Sequence, residues 1–179
     1  VTSGTINGWS WNFGDTQTSV LQNPGNTYLT DGTYNVSLTV TTDYGCTNST
    51  SQSVVVFPLP EVDFTATNVC LNATTQFVNN STINSGSITN YSWDFGDGIG
   101  TSTQTNTSYI YGAEGNYNVV LTATSDNGCI TDTTIGLVVH PNPVINFIGD
   151  DLAGCTEHCV NFTNSTTIAS GSIAQWNWN

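Results

Sequence analysis

Tyr91-Ser92-Trp93-Asp94-Phe95-Gly96-Asp97-Gly98 is the stretch from which the rest of the chain can be read. Its aromatic side chains fall at every second position. That spacing puts Tyr91, Trp93 and Phe95 on one face of a β-strand. The strand ends in Gly96-Asp97-Gly98, a turn signal. The stretch occurs 82 positions earlier as Trp11-Asn12-Phe13-Gly14-Asp15, with Trp9 extending the alternation. A fixed offset of this kind marks repeated units.

Other segments repeat at similar offsets. Gly32-Thr33-Tyr34-Asn35-Val36 returns as Gly115-Asn116-Tyr117-Asn118-Val119, and Tyr44-Gly45-Cys46 as Asn127-Gly128-Cys129. Pro58-Leu59-Pro60 returns as Pro141-Asn142-Pro143, Phe77-Val78-Asn79 as Phe162-Thr163-Asn164, and Ser87-Ile88 as Ser172-Ile173. The period is about 82–85 residues. Proline stiffens a linker and ends a ladder, so the Pro-x-Pro pairs mark joints. The chain divides as 1–58, 59–141 and 142–179. The first unit lacks opening strands, the middle unit of about 83 residues is complete, and the third holds opening strands only. Inside the middle unit, Val62, Phe64 and Ala66 alternate with polar residues, as do Tyr117, Val119, Leu121 and Ala123, and Ile135, Leu137 and Val139. No segment has a helical period. About seven short strands with turns between them predict an all-β chain of tandem immunoglobulin-like β-sandwich repeats.

Composition narrows the function classes. Charged residues are 7% of the 179, with thirteen Asp and Glu, no Lys, no Arg and a net charge of −13. A chain without a basic side chain cannot neutralise phosphates, which excludes nucleic acid as a partner. An anionic membrane surface repels it, and no apolar run is long enough to span a bilayer. Hydrophobic residues make up 37% and aromatics 11%, placed with a clear period, which argues against disorder. Trypsin-like proteases have no cleavage site, and Lys–Asn isopeptide cross-links are excluded.

Trp93 to Gly98, followed by Tyr109-Ile110-Tyr111 and Gly115-Asn116-Tyr117-Asn118-Val119, resembles the PKD (polycystic kidney disease) domain. The first unit matches through Trp11, Phe13, Asp15, Tyr28, Tyr34 and Val36. It departs at Asn12, where the motif has Asp, and at Thr16, where it has Gly. The resemblance implies a β-sandwich and no single activity, because such modules serve as spacers, adhesion units and ancillary binding domains. The Gly-Cys and Pro-x-Pro features are similar to repeats in large secreted or surface proteins of Bacteroidota.

The aromatic residues admit two readings, a sugar-stacking platform or the sandwich core. Their recurrence in every unit favours the core. Asp15 and Asp97 are expected to accept backbone hydrogen bonds in the turn. Asp94, Asp97, Asp150 and Asp151 are candidate Ca²⁺ donors, although no D-x-D-x-D-G loop is present, so a bound cofactor is not expected. Cys155, His158 and Cys159 are three zinc-type ligands without a second pair. Nine Asn-x-Ser/Thr sequons, among them Asn35, Asn48 and Asn106, are a small excess over chance, so glycans are candidate attachments.

Cys46, Cys70, Cys129, Cys155 and Cys159 read as disulfide cysteines of an oxidising compartment. Cys70 and Cys155 are equivalent, in the loop between the first two strands. Cys46 and Cys129 are equivalent, in the hairpin before the last strand. In an immunoglobulin-like topology these lie at opposite ends, beyond the ~7 Å Cα separation a disulfide tolerates. The expectation is a staple between successive repeats, with the partner of Cys70 beyond residue 179 and that of Cys129 before residue 1. Cys159 pairs with Cys155 or outside the repeat.

The only histidines are His140 and His158, and no catalytic constellation stands out, so an enzyme is not expected. The leading functional reading is an extracellular or cell-surface structural and adhesive array, a stiff stalk or filament whose partners are neighbouring repeats. Two alternatives are a carbohydrate-binding accessory module of a secreted hydrolase, and a filament subunit that exchanges strands. The Trp strand at both ends, Trp11 and Trp178, favours a window on a longer array over strand exchange.

Overall fold

The structure is a computed structural model and describes residues 4–178. All regular structure among these residues is β. The described chain forms two compact units. One holds 4–61 with 82–89 and 124–131, and the other holds 62–81, 90–123 and 132–178.

The first unit contains a four-stranded antiparallel sheet built from β1 (Ile6–Asn12), β2 (Thr18–Ser19), β3 (Gly32–Thr42) and β4 (Thr47–Val56), in the order β2-β1-β3-β4. β3 and β4 form a hairpin through Asp43-Tyr44-Gly45, and Gly45 takes φ +77°, which a residue without Cβ reaches at no steric cost. Val36, Leu38 and Val40 lie half-buried on one face of β3.

The second repeat is a sandwich. Its smaller sheet has β5 (Phe64–Ala66), β7 (Thr74–Asn79) and β10 (Thr107–Ile110) in the order β10-β7-β5. Its larger sheet has β6 (Val69–Cys70), β8 (Ile88–Asp94), β9 (Thr101–Ser102), β11 (Gly115–Ser125) and β12 (Ile130–His140) in the order β6-β12-β11-β8-β9. Period-two alternation in β11 puts Val119, Leu121 and Ala123 inside at 0% exposure. Phe64 and Phe77 from the smaller sheet meet Trp93 from the larger at ring centroid distances of 5.0 and 5.6 Å. Phe95, Tyr111, Leu137 and Val139 complete the core. Burying each of these large side chains is worth about 1.5–3 kcal/mol, which makes the inter-sheet layer the main source of stability.

The third repeat contributes β13 (Phe147–Gly149) and β14 (Phe162–Asn164), an antiparallel pair. Phe147, Phe162 and Trp178 stand to one another as Phe64, Phe77 and Trp93 do, with centroids 5.4 Å and 6.2 Å from Trp178. Here they remain exposed, because no second sheet covers them among the described residues.

Candidate functional site

The turn motif is a hydrogen-bonded unit, built twice. Trp93 in β8 donates its indole N–H to the Gln104 carbonyl at 2.8 Å, and Trp11 in β1 donates to Leu21 at 3.1 Å. The Tyr111 hydroxyl donates to the Phe95 carbonyl at 3.0 Å, and Tyr28 to Phe13 at 3.0 Å. The Tyr117 hydroxyl donates to Ala113 at 2.9 Å, four residues upstream, and Tyr34 to Thr30 at 2.8 Å. The last pair is the tyrosine corner of immunoglobulin-like sandwiches. Tyr111 and Tyr117 stack at 4.2 Å, and Tyr28 and Tyr34 stack at the same distance.

The aspartates close the turn. Asp94 Oδ1 accepts the Gly96 N–H at 2.8 Å. Asp97 Oδ1 accepts the N–H groups of Ile99 and Gly100 at 3.1 and 2.7 Å, and its Oδ2 accepts the Tyr109 hydroxyl at 2.6 Å. Partial burial pushes the Asp97 carboxyl up, but the Tyr109 hydroxyl and the Gly100 and Ile99 amides outweigh it and hold the group below its usual value. In the first repeat Asn26 replaces Tyr109: its side-chain amide donates to Asp15 Oδ2 at 2.8 Å, and the Gln17 N–H to Oδ1 at 3.0 Å. The Asn26 bond holds the Asp15 carboxyl below its usual value. The tyrosine hydroxyl that anchors Asp97 escapes a reading of spacing, because Tyr109 and Asp97 meet only when β10 folds over the turn.

Glycine placement completes the local account. Gly96 takes φ +78°, and a Cβ there would drive into the backbone of Asn118. Gly98 takes φ +80° with open space around it. Its counterpart Thr16 takes φ +77° although it is β-branched. The motif's departure at Thr16 therefore keeps the turn shape and stores strain in it.

The acidic candidates do not converge. No group of three or more His, Cys, Asp or Glu side chains that could hold a metal ion exists among the described residues. Asp150 accepts both the backbone and side-chain N–H of Asn161 at 2.9 and 2.7 Å, and the side-chain bond leads in holding its carboxyl low. Asp151 is engaged with His158, whose Nε2 lies 2.9 Å from the Asp151 carbonyl.

The cysteines are exposed except Cys129, which is half-buried, and none is bonded to another. Cys46 and Cys129 sit at the hairpin ends, where Thr42 and Ser125 donate backbone N–H groups to their carbonyls at 2.9 Å. The loop expected to carry Cys70 contains a short strand, β6, in which Cys70 pairs in parallel with His140. Cys129 precedes the first residue of β12 and His140 is its last, so about 33 Å of strand separates their positions at ~3.3 Å per residue. Cys155 lies in a turn without such a strand.

A cleft of about 350 Å³ lies among Ile145, Phe147, Trp176 and Trp178. Phe147 and Trp178 are the counterparts of the core residues Phe64 and Trp93, so this cleft is the uncovered inner face of the third repeat.

A two-sheet β-sandwich, a tyrosine corner and an aspartate-clamped aromatic turn define an immunoglobulin-like module whose motif residues serve its own fold. The PKD domain model matches residues 1–57 and 58–139, and the chain belongs to the PKD domain family. PKD domains are non-catalytic modules. A microbial collagenase of Vibrio alginolyticus is 45% identical over 60 residues, a match that covers 34% of this chain and spans only 7% of the collagenase. The crystal structure of the PKD1 domain of Vibrio anguillarum Epp is 31% identical, covering 47% of this chain and 96% of that one at a TM-score of 0.44. The PKD1 domain of the Vibrio cholerae metalloprotease PrtV is 28% identical, covering 47% and 98% at a TM-score of 0.39.

Proposed function

We propose that this chain is part of an extracellular structural and adhesive repeat array, a stiff stalk or filament whose partners are its own neighbouring repeats. One observation carries the reading. The polar groups of the aromatic motif, Trp93 Nε1, the Asp97 oxygens and the Tyr109, Tyr111 and Tyr117 hydroxyls, are all bonded within the repeat. Each N–H and O–H donor among them is committed to the fold. The absence of Lys and Arg adds protease resistance and mutual repulsion. Disulfides between successive repeats would stiffen the array. The strand length between Cys129 and the partner of Cys70 supports this, because it puts a bond within one repeat out of reach.

The collagenase match favours a second reading, an accessory module beside a secreted hydrolase. Co-sedimentation of the chain with insoluble collagen and with polysaccharides separates the two. For the array reading, electron microscopy of the native material should show rods with a regular axial repeat. Saturable retention, abolished by replacing an exposed aromatic such as Tyr44, would decide for the accessory module.

A further inference from the structure

Among the described residues, one edge of the first sheet has no strand paired to it. β4 is the outermost strand and runs ten residues, Thr47–Val56. An edge strand presents a row of unpaired N–H and C=O groups, and natural proteins blunt such rows with charge, proline or a bulge. β4 has none of these. Its sequence is Thr-Asn-Ser-Thr-Ser-Gln-Ser-Val-Val-Val, and its register with β3 runs without a shift from Thr47 to Val56. Every residue from Thr47 to Val55 is exposed.

The complete repeat indicates that opening strands cover only the C-terminal end of this edge, from the counterpart of Val55 onward. There β12 is the counterpart of β4, and among the described residues its outer side is met by β6 at Val139 and His140 and by the Asn68 side chain, which accepts the Val138 N–H. β12 also carries its own guard, Asp132, at the position where β4 has Ser49.

We propose that β4 pairs antiparallel with β4 of a second copy of this chain, joining two sheets about a twofold axis perpendicular to them. A twofold contact needs a self-complementary surface, and antiparallel pairing of one strand with itself supplies it. The second copy fits because the edge is uncharged: the net charge of −13 has no member between Asp43 and Glu61. Two such edges therefore approach without like charges in contact. Keeping the two inner faces on one side requires opposed residues of the same face, which centres the pairing on Ser51 or Gln52. The array thereby gains a lateral contact in addition to its axial one.

Sedimentation equilibrium of the 179-residue chain, reduced and at about 0.15 M salt, tests this. A concentration-dependent dimer is expected. The double variant S51K/S53K sets ammonium groups opposite one another in either register and should weaken the dimer at least tenfold with an unchanged far-ultraviolet dichroism spectrum. Ser51→Thr should retain it. Phe147→Ser, on the uncovered face of the third repeat, should leave the dimer constant unchanged. A chain that stays monomeric to millimolar concentration leaves the edge to solvent or to a strand of another protein and overturns the proposal. A dimer that survives S51K/S53K places the association elsewhere and overturns it too.

Discussion

Replacing Tyr111 by Phe removes one hydroxyl and leaves the ring in place. In the second repeat that hydroxyl donates to the Phe95 carbonyl at 3.0 Å. Tyr111 and Phe95 are each 1% exposed, so water cannot take over the bond. Burial also pushes the Tyr111 hydroxyl well above its usual pKa, so it stays a donor at any working pH. Leaving a buried carbonyl without a partner costs about 1–3 kcal/mol. For a domain of this size, a loss of about 2 kcal/mol lowers Tm by roughly 8–16 °C. Tyr28 provides the internal comparison. Its hydroxyl donates to Phe13 at the same 3.0 Å, but Tyr28 is only half-buried. Water reaches the Tyr28 side of the bond although Phe13 is 7% exposed, so Tyr28→Phe should cost less than Tyr111→Phe, about 1 kcal/mol or below. Urea unfolding followed by tryptophan fluorescence measures both, and an unchanged m-value certifies the comparison. Native-state hydrogen exchange at the Val119 and Leu121 amides assigns the loss to the second repeat. Equal losses in the two variants, or a Tyr111→Phe cost under ~0.5 kcal/mol, would refute the reasoning.

Thr16→Gly should stabilise the first repeat by about 0.5–1 kcal/mol, because it releases a β-branched residue from φ +77°, a gain reduced by the freer unfolded chain; thermal unfolding reads it. Gly96→Ala should cost more than ~3 kcal/mol, since its Cβ meets the Asn118 backbone, whereas Gly98→Ala, with open space, should cost only about 1–2 kcal/mol. Asp97 has a folded pKa below its unfolded value of about 3.9. Its contribution is therefore complete above that unfolded value and is lost as pH falls through the lower folded one. The stability gap between the protein and Asp97→Asn should shrink across that window, and an unchanged gap would remove the carboxylate from the account. Non-reducing peptide mapping of protein from an oxidising compartment should find no Cys70–Cys129 link, given about 33 Å of intervening β12.

Much of the fold is legible because its signals are local. Alternation in Tyr117 to Ala123 reports a strand with one buried face, and Gly96, Gly98 and Gly128 report positive φ. Other elements carry no local signal. β6 and β9 are two residues each, too short for a period, and exist only because β12 and β8 offer an edge. The Tyr109 bond to Asp97 spans twelve residues and two sheets, so no motif spacing announces it.

Trp11 and Trp93 show where the division falls. The repeat, the aromatic face and the turn chemistry follow from the sequence alone, because each depends on neighbours within a few residues. Both tryptophans accordingly make the same indole bond. Their burial does not follow. Trp93 is 0% exposed because Phe64 and Phe77 cover it from the opposite sheet, while Trp11 is half-buried on a sheet with no such cover among the described residues. Burial belongs to packing between distant segments, so only the tertiary structure shows that Phe64 and Phe77 close over Trp93.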